Sequence, residues 1–523
     1  MLAHMKSGSP LTRRACAVVA ATGVAVAGLA APASAARPGG TSTTPVTTTS
    51  TAPAPPADWA FDPAAAKLPE VTRAIRADVA HRAGYTGKGV GVALIDTGVV
   101  PVPGLIAGNV VNGPDLSLES QVPGLLHKDT YGHGTHLAGI IAGRDAATGF
   151  RGIAPDAKLT SLKVAAANGA VDVSQMLAAI DWVVEHRNDD PAHPIKVLNL
   201  SYGTDSTLRR EQNPLTAAVE NAWKAGIVVV VAAGNTGGEI TSPAIDFNPV
   251  VVGATDTVGT TAPADDRLSA FSSVTGMTNR RLDVLAPGRS LVSLRNPGSF
   301  VDSRNPSARV GELHFRGSGT SQAAAVVSGA AALLVQRYPA ATPADIKMTL
   351  MTRGLRLKNV RETGAKALDV GLAVTDPLVT SSPYYFAAEG NGSLEAARGS
   401  FHVALDTDTI PLTGENDLFG PFDTAAWAAA SRAGTAWQGG DWMGRPWTGD
   451  GWGVPADGQG NWTGRAWSGR AWSGRAWSDI SWSGATWTGR AWSSATFNSA
   501  VWSGSTWQSG PWLSGTGATH WQP

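Results

Sequence analysis

An α/β fold, a parallel sheet with helices on both faces, follows from three observations on this 523-residue chain. Between Pro69 and Val374 short strand-like apolar runs alternate with helical patterns, the texture of βαβ units. The run Val90–Ile95 is apolar throughout, as a strand buried on both sides must be. A Gly-rich turn at Gly317 and Gly319 enters a long apolar helix at Ser321, and a second helix follows at Pro343–Arg353. Length alone suggests about two to four domains. Lys+Arg and Asp+Glu both total 41, which gives no sign of a nucleic-acid or membrane partner.

Residues 1–36 have a signal-peptide layout: Lys6, Arg13 and Arg14, an Ala/Val/Gly-rich run, then the small-x-small site Ala33-Ser34-Ala35. Secretion is expected, by either the general or the twin-arginine route. The single cysteine, Cys16, lies in that leader, so the mature chain is expected to have neither disulfide nor thiol nucleophile. Residues 37–57, rich in Thr, Pro and Ala, read as a disordered linker. Within the globular region, 58–374, a helix is expected at Glu70–Ala83. Strands follow at Val90–Ile95, Lys158–Val164, Lys196–Leu200 and Ile227–Ala232. Helices are expected at His133–Gly143, Val173–Arg187, Asn213–Ala225 and Ser321–Tyr338.

Chemistry gathers at the ends of these elements. Asp96 ends the first strand, at the carboxyl edge where parallel sheets place their sites; its plain reading is a turn cap. His133 stands between Gly132 and Gly134 at a helix entrance, 37 residues on. His136, one turn later, reads as a buried core histidine; a metal pair would lack the intervening Glu of a zinc helix. Ser321 enters its helix beside unpaired backbone N–H groups and the positive dipole end; by itself it reads as a cap. Asn235, ending Ala232-Ala233-Gly234-Asn235, reads by itself as a turn residue.

The order Asp…His…Ser is that of subtilisin. From about Gly84 to Val374 the chain resembles the subtilisin-like serine proteases, or subtilases. The motifs that carry it are ALIDTGV, HGTHLAGI and GTSQAAAVVSGAAALL, with GIAPDAKLTSLKV, VLNLSYG and VVVVAAGN between them. The resemblance implies a serine endopeptidase acting on proteins or peptides, with Asp96, His133 and Ser321 as triad. It also implies an oxyanion hole of Asn235 and the Ser321 backbone, and a substrate-binding strand at Ser201, Tyr202 and Gly203. The rival reading is a surface binding or adhesion protein on a subtilase scaffold.

Three departures from the family stand out. Gln322 and Ala325-Val326 replace the usual Met and Pro-His, so altered packing near the site is expected. In the loop Arg144–Phe150, where many relatives bind calcium, only Asp145 is a ligand candidate; no cofactor is expected and calcium is not supported. Between the leader and Gly84 the residues are mostly linker-like, leaving no place for the folded prodomain of relatives.

After a connecting segment, 375–431, residues 432–523 carry a five-residue Trp repeat. Sixteen of the 19 Trp lie beyond residue 420. A period of five fits neither helix nor strand, and the intervening Gly and Ser favour one turn per unit, so an irregular or solenoid-like region is expected. The indoles read as a structural stack, as a cell-wall or glycan-binding face, or as a segment ordered only by a partner. A monomer is expected.

Overall fold

Eight strands lie parallel in one sheet: β1 (Gly91–Asp96), β2 (Val110–Asp115), β3 (Lys158–Lys163), β4 (Ile195–Leu200), β5 (Val228–Ala232), β6 (Val250–Asp256), β7 (Val284–Pro287) and β8 (Lys366–Ala367). Their spatial order is β8-β7-β6-β5-β4-β1-β3-β2, and a two-residue strand, Arg267–Leu268, joins β6 antiparallel. The computed structural model describes residues 66–446, except 121, 123, 276–279, 359, 361–362, 382–386, 406–410 and 439, and also the strand Trp467–Gly469. The leader 1–36, the linker 37–57 and most of the Trp repeat lie outside the described residues.

Successive residues of a strand face opposite sides, so each strand feeds two cores. Val92, Leu94, Val197, Val228, Val230 and Val252 pack on one face with α1 (His133–Ala142) and α4 (Thr320–Arg337). Ala93, Ile95, Leu198, Leu200, Val229 and Val251 pack on the other with α2 (Val173–His186) and α3 (Pro214–Lys224). Helix α4 is buried all round from Ala323 to Leu334 and, apart from Ser328, apolar, as a helix between sheet and neighbouring helices must be. Burial of Leu333 or Leu334 contributes about 1.5–3 kcal/mol each, so a charge at either position would break the packing. The chain runs from β1 out to edge strand β2, back to β3, then across β1 to β4. The crevice where this order reverses opens at the carboxyl end of β1, where Asp96 stands.

The expected helix at Glu70–Ala83 is two helices, Leu68–Ala74 and Ala77–Arg82. Arg76 between them is left-handed at φ 56°, and its guanidinium meets Asp369 at 2.9 Å. Asp369 in turn caps the helix Val370–Thr375, so a long-range ion pair overrides local helical propensity. Strands β2, β6, β7 and β8 have no counterpart among the expected strands.

The packing does not stop at Val374. Helix α5 (Pro343–Thr352) is followed by α6 (Leu394–Arg398) and α7 (Thr424–Ala433). Leu394, Ala397, Phe422, Trp427, Trp437 and Trp442 join the α2/α3 core. What reads as a connecting segment and the start of a separate repeat is therefore part of the sheet's second face. Trp427 and Trp442 donate their indole N–H groups to Asp181 Oδ2 at 2.8 and 3.0 Å, and Trp437 donates to Ala178 O at 3.0 Å. Trp437–Gln438, Asp441–Trp442 and Arg445–Pro446 form a small antiparallel meander with Trp437 opposite Trp442. The strands are two residues each, and Met443-Gly444 makes the turn between the second and the third.

Candidate active site

Strand β1 carries Asp96 into the crevice, where it is 1% exposed. Its Oδ1 accepts the Thr97 N–H at 2.8 Å and faces His133 Nδ1 at 2.7 Å. His133 is the first residue of α1 and is fully buried. Its glycine neighbours have steric reasons. Gly132 caps the helix at φ 106°, and a Cβ on Gly134 would lie 2.1 Å from Gly98 O. Only glycine permits β1 and α1 to approach so closely.

Two side chains clamp that junction. Thr97 Oγ1 accepts the Gly134 N–H at 2.8 Å and donates to Asp129 Oδ1 at 2.7 Å. Asp129 also accepts the N–H groups of Gly132 at 2.6 Å and Thr135 at 2.8 Å. Orphan donors of the helix start are satisfied while the two elements are joined. Behind them Lys163 donates to Glu119 Oε2 at 2.6 Å and to the Lys128 carbonyl at 2.5 Å, with both charged side chains at most 1% exposed.

Ser321 is the second residue of α4, 2% exposed, after Gly319 in an extended positive-φ conformation (φ 154°, ψ 164°). The two helices bearing His133 and Ser321 pack against each other. Asn235, beyond β5, is drawn to the same helix start. Its Oδ1 accepts the Thr320 N–H at 2.8 Å and the Thr320 hydroxyl at 3.1 Å. With two donors on the oxygen, the amide has one orientation, and its NH₂ is the end available as a donor. From β4 the chain continues to Ser201, whose Oγ reaches Ser321 O at 3.5 Å. Asn199 ties this edge to α4, donating to Ser201 Oγ at 3.0 Å and accepting from Ser328 Oγ at 2.9 Å. Tyr202 is 3% exposed, and a Cβ on Gly203 would lie 2.3 Å from Thr241 Oγ1.

The structure therefore brings Asp96 onto His133, and Asn235 and Ser201 onto the Ser321 turn. His136 is a core residue: its Nε2 lies 3.1 Å from Phe315 O, and burial, followed by the neighbouring His133, pushes its pKa down to about 3. Gln322, Ala325 and Val326 are fully buried. In the loop after α1, both Asp145 oxygens are occupied by their own turn, accepting from Ala147 N at 3.1 Å and Thr148 N at 3.2 Å. Thr97, Asp129 and Thr320 escaped the sequence reading. Asp129 had a local signal, an acidic residue three before the Gly132 helix cap; Thr320 had none.

Several known proteins are similar to this chain. A model of the subtilase family matches residues 87–369. Serine protease AprX of Bacillus subtilis (strain 168) is 38% identical over 296 residues, spanning 54% of this chain and 66% of that protein. Subtilisin Savinase of Lederbergia lenta is 34% identical over 293 residues, spanning 56% of this chain and 93% of that protein. A solved cold adapted subtilisin-like serine proteinase is 27% identical, covers 55% of this chain and 90% of its own, and superposes with a TM-score of 0.42.

Proposed function

The chain belongs to the subtilase family of serine-type endopeptidases, and from that premise we propose that it is secreted and cleaves peptide bonds through Asp96, His133 and Ser321. Ser321 Oγ attacks the substrate carbonyl carbon as its proton passes to His133 Nε2. Asp96 accepts the Nδ1–H, holds the tautomer and stabilises the imidazolium. The negative oxygen of the tetrahedral intermediate is met by the Ser321 N–H and the Asn235 NH₂, both aimed from a preorganised site. Collapse expels the amine with the proton returned by His133, leaving an acyl-enzyme. Water, deprotonated by His133, then attacks the ester carbonyl; the acyl C–Oγ bond breaks as His133 returns the proton to Ser321 Oγ, releasing the acid product. Substrate backbone lies along Ser201–Gly203.

The observation that carries this reading is the buried His133 Nδ1–Asp96 Oδ1 contact at 2.7 Å, on a helix packed against the one whose first turn bears Ser321. The test is labelling of secreted protein with a fluorophosphonate probe, compared with Ser321→Ala. Ser321-dependent labelling is expected; folded parent protein that does not label would overturn the proteolytic reading.

A further inference from the structure

Outside the residues matched by the family model, one side chain is placed where it bears on substrate binding. Arg398, at the end of α6, is fully buried. Its Nε donates to Asp172 Oδ1 at 2.6 Å and Nη2 to Asp172 Oδ2 at 3.4 Å. Nη1 donates to Gly414 O at 2.8 Å, and Nη2 also donates to Asn416 O. Asp172 is the N-cap of α2, accepting from Ser174 N and Ser174 Oγ. A desolvated guanidinium persists only where its donors are met by oxygens in the right plane. Here the oxygens come from two remote segments, so α6 has one permitted seat against α2.

That seat has a consequence at the strand assigned to substrate. The residues following Gly203 are pinned to α6: Thr204 Oγ1 donates to Ala397 O at 2.7 Å, and Ser206 Oγ to Ala396 O at 2.6 Å. Asp205 accepts the Ser400 N–H at 2.6 Å. On its other side Thr204 exchanges backbone hydrogen bonds with Ser242 at 2.8 and 2.9 Å. Tyr202, between the anchored Ser201 and Thr204, lies in the field of Asp172 and Arg398. A strand that leaves its sheet loses the ladder that held it, and its position is then set by whatever grips its far end.

We propose that Arg398 is a positioning residue for substrate: by seating α6 against Asp172 it holds Thr204 and Ser206, and through them sets Ser201–Gly203 for an extended peptide. This rests on the proteolytic reading above. A residue acting so should alter the binding of peptides long enough to pair with the strand, and leave the reaction of a small reagent with Ser321 unchanged.

The test uses full-length protein carrying Arg398→Lys and, separately, Thr204→Val, which removes the hydroxyl bond to Ala397 O and leaves the Arg398–Asp172 pair in place. Active sites are titrated first, so that KM and kcat refer to folded enzyme. Thr204→Val is expected to raise KM for an extended peptide substrate roughly fivefold, the equivalent of one neutral hydrogen bond, with kcat and the fluorophosphonate labelling rate within about twofold of the parent. A purely structural role would lower the titratable fraction and leave KM where it was; that result overturns the proposal, even if Arg398→Lys fails to accumulate. Absence of Ser321-dependent labelling in the parent would instead remove the proteolytic reading on which the proposal stands.

Discussion

Trp427 reaches across 246 positions of sequence to donate its indole N–H to the buried carboxylate of Asp181 at 2.8 Å. Trp442 donates to the same oxygen at 3.0 Å, and Ser431 Oγ donates to Oδ1 at 2.5 Å. One acidic side chain of α2 thereby gathers three partners from the C-terminal segment, and neither that segment nor α2 is complete without the other.

The pH dependence of stability should carry this signature. Burial pushes the Asp181 pKa up from 3.8 to about 6, against the hydrogen bonds from Ser431, Trp442 and Trp427. Below 3.8 folded and unfolded chains both hold the proton, and the contribution is complete; above it the unfolded chain ionises first and stability is lost until about 6. Relative to Asp181→Asn, which cannot ionise, the parent should lose on the order of 2–3 kcal/mol across that window. Urea denaturation of both proteins at intervals between these limits measures it, and a constant difference would contradict the assignment.

Replacing Lys163 by Met should destabilise by about 3–5 kcal/mol, because Glu119 would be left charged and fully buried. Adding Glu119→Leu should recover much of the loss, since the carboxylate that needed the ammonium is gone. A double-mutant cycle in denaturant is the measurement.

Asp129→Ala should cost about 1–3 kcal/mol, as three donors lose a buried acceptor. It should also lower kcat, because the start of the helix that bears His133 is no longer tied to Thr97. Asp129→Asn, which retains one acceptor, should fall between alanine and the parent in both thermal midpoint and turnover.

Asn235→Ala should reduce kcat by about 10²–10³ with little change in KM, a magnitude established on a subtilisin and carried over within the family. Thr320→Val keeps the backbone N–H bond to Asn235 Oδ1 and removes the 3.1 Å hydroxyl bond to it, together with the bond that the hydroxyl accepts from the Gly234 N–H at 3.2 Å. Its effect on steady-state kcat should therefore be several-fold at most.

The motif-bearing elements were legible because their local pattern and their role agree. Val90–Ile95 is an apolar run ending in a carboxylate, and the strand occupies Gly91–Asp96. The Gly-rich turn before Ser321 opens a helix one residue earlier than expected, at Thr320. The juxtaposition of Asp96 and His133 followed from family resemblance more than from spacing, since 37 residues separate them. What escaped depends on partners that no window along the chain contains. Arg76 abandons helical geometry for Asp369, and Arg398 finds Asp172 across 226 positions. The segment 424–433, with Trp427 in an alanine-rich helix, had an apolar face that could have marked it as packed, but it straddles the boundary expected between the connecting segment and the Trp repeat.

Synthesis from the amino end delivers Asp181 long before the indoles that cover it. Until Trp427 and Trp442 emerge, its carboxylate faces water, where an ionised acid is at home. Burial of that carboxylate therefore cannot be completed before the chain has been made as far as Trp442.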